Sequence, residues 1–392
     1  MDKYIYMDNA ATTPVKKEVL DEMLPYFNVN YGNPSSIYTL GSKSKNAISI
    51  SREKVAKAIN ADPREIFFTA GGSEADNWAI KGVAYANKDK GNHIITSKIE
   101  HHAVLHTCEY LEKEGFRVTY LDVDQYGIVD LEQLKKSITD DTILISIMFA
   151  NNEIGTIQPI KEIGKIAKEK GIYFHTDAVQ AIGHIKIDVN ELNIDLLSMS
   201  AHKFYGPKGI GALYVRKGVK IDPLITGGGQ ERNRRAGTEN VPGIVGMGKA
   251  IELAYENLEG KNAKLIKLRD RMINKILEKI DYVRLNGHPT NRLPGNVNVC
   301  FEFIEGESIL LSLDMEGIAA SSGSACTSGS LEPSHVLLAI GLSHEIAHGS
   351  VRLTLGDFNT EEEVDYVVEK LAEIVSRLRT MSPLYEKVKE GK

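Results

Sequence analysis

Gly171-Ile172-Tyr173-Phe174-His175-Thr176-Asp177 and Asp195-Leu196-Leu197-Ser198-Met199-Ser200-Ala201-His202-Lys203 are two short apolar runs, each closing on a titratable side chain. Runs of this length without strict polar alternation suit strands buried on both faces. Similar runs recur at Glu65–Thr69, His93–Ser97, Phe116–Leu121, Thr142–Phe149 and Gly211–Val215, with helix-length amphipathic stretches between them. That rhythm predicts βαβ units and an α/β fold whose mainly parallel sheet has seven strands, one for each run. In such sheets ligands bind beyond the carboxyl ends of the strands.

From about Pro242 the pattern changes to one expected long helix over Ile244–Lys279, with apolar positions at helical spacing. Beyond it the spacing predicts a strand at Asn296–Phe303, a helix at Glu307–Met315 and a strand at Val351–Leu355. The last helix opens on Thr360-Glu361-Glu362-Glu363, a capping box. This part reads as a smaller α+β domain joined by the N-terminal arm, and no internal repeat is visible.

The chain has 392 residues, 47 Lys+Arg against 53 Asp+Glu, and a net charge of -6. A mildly acidic chain with no basic block lacks the electrostatic footprint of a nucleic-acid or anionic-membrane protein, so neither partner is expected. No apolar run reaches signal-peptide or membrane-spanning length, and a cytoplasmic setting is expected. Cys108, Cys300 and Cys326 form no CxxC pair, so chemistry at sulfur must come from one cysteine acting alone. Cys108 and Cys300 sit in apolar contexts and are expected to be buried and inert. Cys326 lies in Ser321-Ser322-Gly323-Ser324-Ala325-Cys326-Thr327-Ser328, a run of small polar residues with the exposure a nucleophile needs.

Lys203 follows a strand and precedes a glycine-rich loop, where partial desolvation suits an amine to Schiff-base chemistry. Ser200 and His202 beside it can hold a phosphate. Asp177 ends a neighbouring run, and a buried carboxylate calls for a cation such as a protonated pyridine nitrogen. Gly71-Gly72-Ser73 follows a strand and opens a helix, leaving backbone N–H groups free to cradle a phosphate. Each feature alone has a plain alternative: a surface lysine in a turn, an N-capping aspartate, a helix start. Lys203 and Asp177 on successive strand ends together point to pyridoxal phosphate, which needs a lysine and often an acid for its ring nitrogen. His344-Glu345-Ile346-Ala347-His348 matches the HExxH zinc motif, but Gly349 follows at once and no third ligand is near, so a zinc hydrolase is set aside.

These motifs resemble those of the cysteine desulfurases of the NifS/IscS class, which share the aspartate aminotransferase-like fold type I of the pyridoxal-phosphate enzymes. The resemblance runs from Tyr6-Met7-Asp8-Asn9-Ala10-Ala11-Thr12-Thr13-Pro14 to Ser382-Pro383-Leu384. It passes through Gly32–Ser36, Glu100–Val104, Asn151–Gly155, Asp177–Gln180, Ser200–Lys203, Arg235–Thr238 and the Cys326 segment in the family's order. Gly72-Ser73 stands where Ala-Thr is common in the housekeeping pattern.

The resemblance implies a large cofactor-binding domain over 15–255, with 1–14 and 256–392 forming the small domain that carries Cys326. It implies that Lys203 bonds to the cofactor aldehyde, Asp177 faces the ring nitrogen, Gln180 reaches the ring hydroxyl and His101 stacks on the ring. Gly72, Ser73, Ser200 and His202 would hold the phosphate, with Thr238 reaching across from the second subunit of a homodimer. Asn152 would lie beside the ring, and Asn33 and Arg352 would hold the carboxylate of L-cysteine. Lys203 would move the substrate proton, and His101, with an unperturbed pKa near neutrality, would serve the thiols. Cys326 would take the sulfur as a persulfide, leave L-alanine and pass the sulfur to an iron–sulfur scaffold of the IscU/NifU type. No resident metal is implied, although Cys326 could transiently ligate a cluster. A selenocysteine lyase or a related enzyme of the same fold is the nearest alternative.

Overall fold

A computed structural model of the chain describes residues 4–322 and 333–389. The N-terminal arm enters as β1 (Ile5–Tyr6). The main sheet takes β2 (Ile66–Thr69), β3 (His93–Ser97), β4 (Arg117–Leu121), β5 (Thr142–Ser146), β6 (Tyr173–Asp177), β7 (Leu196–Ser200) and β8 (Gly211–Val215). Their order is β2-β8-β7-β6-β5-β3-β4. β8 runs antiparallel to β2 and β7, and all other neighbours are parallel. The mainly parallel seven-stranded sheet expected from the sequence is present.

Successive side chains on a strand point to opposite faces, so each strand feeds two cores. Phe68, Ile95, Leu197 and Ala212 join Val55, Ile163 and Ile251 in one cluster. Their sequence neighbours Phe67, Ile94, Leu196 and Leu213 join Trp78, Val83 and Leu111 in another. Helices Thr39–Ala58, Ile160–Lys170 and Val241–Glu256 thus cover one face, and Gly72–Ala86 with His102–Lys113 covers the other. Burial on both faces is why these strands lack polar alternation.

A second assembly pairs β9 (Val283–Leu285), β10 (Asn296–Phe301) and β12 (Ser350–Thr354) in the antiparallel order β12-β10-β9. β11 (Ile318–Ala319) pairs in parallel with β1. Its core gathers Leu268, Met272, Val299, Leu313 and Leu371 around Met7 of the arm. The capping box is formed, Thr360 accepting from the Glu363 N–H. Cys108 and Cys300 are both buried and free, and burial pushes the Cys300 thiol up to about 12.

The single helix expected over Ile244–Lys279 is two, Val241–Glu256 and Leu258–Lys279, broken at Asn257 with φ -140° and ψ 52°. The first packs on the large sheet and the second on the other core, and both carry apolar residues at helical spacing. Periodicity therefore runs through the break unseen. β5 also stops at Ser146, short of the expected Phe149, although the Ile147 and Phe149 N–H groups still donate to the His175 and Asp177 carbonyls of β6. The HExxH segment is one short helix, His344–His348.

Candidate active site

β6 and β7 lie in register with Asp177 opposite Ser198. Beyond Ser200 a 3-10 turn, Ala201–Lys203, carries the lysine. Its Nζ donates to the carbonyls of Ala10 and Ala11 at 2.5 and 2.8 Å, so the N-terminal arm closes over the strand ends. A cavity of about 340 Å³ opens there, lined by Gly72, Ser73, His101, Asn152, Asp177, Gln180, Ser200, His202, Lys203 and Arg352. These come from six separate places in the chain, and the fold brings them together.

Gly72 and Ser73 start the helix Gly72–Ala86, whose first turn has no side-chain cap. Its unsatisfied N–H groups and positive dipole end favour an anion. A side chamber of about 570 Å³ adjoins this turn and is also lined by Ser200, His202 and Lys208. Gly72 is required by packing, since a Cβ there would lie 2.7 Å from Val179 Cγ2. His202 Nδ1 pairs with Thr12 Oγ1 at 3.1 Å, while Gln180 Nε2 donates to the Ala10 carbonyl at 2.9 Å.

Burial lifts the Asp177 carboxyl to about 6, against the Val179 N–H at 2.9 Å and the Lys203 charge, which both favour its anion. His101 caps the helix His102–Lys113, its Nδ1 accepting from the Ala103 N–H at 3.1 Å. Burial, reinforced by Lys203, lowers its pKa to about 4. The near-neutral titration expected of an unperturbed imidazole does not hold here, and His101 is a neutral ring whose other nitrogen carries the proton.

Arg352, on β12, is 2% exposed. Its Nη1 donates to the Asn152 carbonyl and its Nη2 to Asp8 Oδ1, both at 2.9 Å, and its Nε has no hydrogen-bond partner. Asn33 and Thr238 do not line this cavity: both are exposed, and Asn33 Oδ1 accepts from the Ser35 N–H. Cys326 lies outside the described residues. The residues flanking its segment reach the site, because Ser321 exchanges backbone hydrogen bonds with Arg352, and Ser334 Oγ donates to Glu153 Oε2 at 2.7 Å.

Three buried acids were not singled out from the sequence. Glu100 accepts from Ser97 Oγ and the Met148 N–H, and burial pushes it up to about 8. Glu153 is pushed up to about 7 in the same way. Asp76 sits one helical turn beyond Gly72 and lines the same cavity; that i, i+4 spacing was the available signal.

The set fits pyridoxal phosphate: a primary amine, a buried acid for a cationic ring nitrogen and an uncapped helix start for a dianion. The chain matches the family described as Aminotransferase class-V over residues 5–367. It is 68% identical over 386 residues to a cysteine desulfurase IscS of Methanosarcina thermophila, covering 98% of this chain and 95% of that one. It is 58% identical to a cysteine desulfurase IscS of Dictyoglomus turgidum, covering both chains in full. Among solved structures, a NifS-like protein superposes with a TM-score of 0.91 at 43% identity, covering 96% of this chain and 100% of that one. SspA in complex with cysteine gives 0.81 at 42% identity, covering 91% and 100%. With this fold, this cavity and these relatives, the chain belongs to the class-V aminotransferase family of pyridoxal-phosphate fold type I enzymes, within its NifS/IscS cysteine desulfurases.

Proposed function

We propose that the protein removes sulfur from L-cysteine, giving L-alanine and a persulfide on Cys326 that feeds iron–sulfur cluster assembly. The observation that carries the reading is one cavity holding Lys203, Asp177 and Arg352, three side chains suited to an aldehyde, a cationic ring nitrogen and an amino-acid carboxylate. Pyridoxal phosphate, when bound, supplies the electron sink that labilises bonds at the substrate α-carbon.

The remaining work falls to this chain. Gly72, Ser73, Ser200 and His202 hold the phosphate, Asp177 the ring nitrogen, Gln180 the ring hydroxyl, and His101 and Asn152 flank the ring. Arg352 orients the substrate carboxylate through its planar fork. The Lys203 amine holds the cofactor and then moves the proton at the substrate α-carbon. The Cys326 thiolate attacks the substrate sulfur: the S–S bond forms, the Cβ–S bond breaks, and its electron pair stays on Cβ, which is protonated to the methyl group of alanine. His101, neutral at pH 7, can accept the proton of an incoming thiol.

A homodimer completes the site in this reading, with Thr238 from the second copy at the phosphate, while Asn33 joins Arg352 at the substrate carboxylate. Leu20, Leu24, Phe27, Val29 and Ile37 form an exposed apolar stretch that supports a covered face. The sulfur acceptor is a scaffold of the IscU/NifU type. No helix among the described residues is long and apolar enough to cross a membrane, and the two described cysteines are free, which supports a reducing cytoplasmic setting. The test is the visible spectrum before and after adding L-cysteine, with alanine and sulfide assayed in the same tube. An absorbance band that shifts, with equal alanine and sulfide, supports the reading; a protein that gains no band on adding pyridoxal phosphate overturns it.

A further inference from the structure

Beneath Asp177 the cavity holds a second carboxylate. Asp76, on the helix Gly72–Ala86, is 1% exposed and lines the same cavity, and its Oδ1 has no hydrogen-bond partner. His175 approaches it, Nε2 to Oδ1 at 3.6 Å, beyond hydrogen-bond distance. His175 stands two residues before Asp177 on β6, so both point to one face of the sheet. Its ring nitrogens are engaged by Ser146 Oγ at 2.8 Å and Ser198 Oγ at 3.0 Å. The buried Glu100 adds a further acid behind them. On the cationic side Lys203 faces Asp177.

Two bare carboxylates cannot share such a floor cheaply, because each loses hydration and each repels the other. They differ in what stabilises their anions. Asp177 has the Val179 N–H and Lys203. Asp76 has the Ser198 hydroxyl to set against burial and the charge of Asp177.

We propose that Asp76 is a second acid of the cofactor floor: a neutral carboxyl that shares one negative charge with Asp177 and leaves that charge on Asp177, toward a cationic ring nitrogen. Asp76 is then a positioning residue, acting through Asp177. The raised pKa of Asp76 and the lowered pKa of His175, about 3 through burial, agree with this distribution of protons. The proposal rests on the cofactor reading of Asp177.

Infrared spectroscopy of the parent protein with isotopically labelled aspartate, recorded with and without pyridoxal phosphate, tests it directly. The expected result near pH 7 is a protonated-carboxyl stretch that shifts with the label and vanishes in Asp76→Asn. Cofactor dissociation gives a second readout. Asp76→Asn, which mimics the neutral acid, should release pyridoxal phosphate within about threefold of the parental rate, whereas Asp177→Asn should release it at least about tenfold faster. No protonated-carboxyl band sensitive to Asp76→Asn overturns the proposal, and so does cofactor loss in Asp76→Asn as fast as in Asp177→Asn. Failure of the cofactor reading looks different: the parent itself would take up no pyridoxal phosphate, while the band of the unloaded protein would still report the proton on Asp76.

Discussion

Arg352 Nη2 donates to Asp8 Oδ1 at 2.9 Å, so the cation assigned to the substrate carboxylate already bears a carboxylate from the N-terminal arm. With Nη1 on the Asn152 carbonyl, the guanidinium is held in one orientation before substrate arrives. A lysine cannot reproduce two directed contacts and still offer a fork to a third group. Arg352→Lys should therefore raise KM for L-cysteine by roughly tenfold or more, with a smaller change in kcat. Steady-state kinetics of alanine formation decides this, and an unchanged KM would remove Arg352 from the substrate site.

Lys203 Nζ is held by two carbonyls of the arm at the cavity wall. Borohydride reduction of the loaded parent should fix the cofactor covalently, and Lys203→Ala should show no such linkage. Activity should fall by about 10² to 10⁴ or more, the range for loss of a positioned proton-transfer group. Mass spectrometry of the reduced protein reads the linkage.

Gly72 and Val179 meet where the helix start passes the segment after Asp177. Gly72→Ala would bring its Cβ to 2.7 Å from Val179 Cγ2, and the β-branched valine has little rotamer freedom to yield. Affinity for pyridoxal phosphate should fall by about an order of magnitude and recover in Gly72→Ala/Val179→Ala, a coupling expected only of residues in contact. Titration of the apoprotein followed by absorbance measures both.

The buried acids and imidazoles give the apoprotein a stability optimum with two slopes. Glu100 titrates at about 8 when folded and at 4.5 ordinarily, so the folded chain binds the extra proton between those values. Its contribution is fully present below about 4.5 and is lost as pH rises toward 8. His101 and His202 are both lowered to about 4 from 6.5, chiefly by burial, and act the other way: stability is lost as pH falls from 6.5 toward 4. Above pH 6.5, where the two histidines no longer oppose it, thermal unfolding should thus show Tm declining toward pH 8 more steeply in the parent than in Glu100→Gln. Parallel curves would place the Glu100 proton elsewhere.

Cys326→Ala should keep the bound cofactor and lose sulfide release, since the amine site and the sulfur-accepting thiol are separate parts. Sulfide assays with L-cysteine and reductant check this, and release at the parental rate would sink the assignment of Cys326.

Much of the site was legible because its residues stand at punctuated places in the chain. Asp177, Ser200 and Lys203 close apolar runs, and Gly72-Ser73 follows a strand and opens a helix, so local pattern alone puts each at a strand's carboxyl end. The burial of Asp76 was not legible. A carboxylate one turn into an amphipathic helix looks like a solvated residue, and only the sheet packed against that helix buries it.

The sequence by itself determined the layered α/β architecture, the strand ends that carry chemistry and the family. Those follow from period, turn residues and motif order, all of which are local. Tertiary structure alone decided that the arm's Asp8 pairs with Arg352, that Asn257 breaks what periodicity joins, and that His101 is neutral rather than poised near pH 7. Each of these depends on which distant segments meet, and for His101 on which of them exclude water, since desolvation is a property of the folded neighbourhood, not of spacing along the chain.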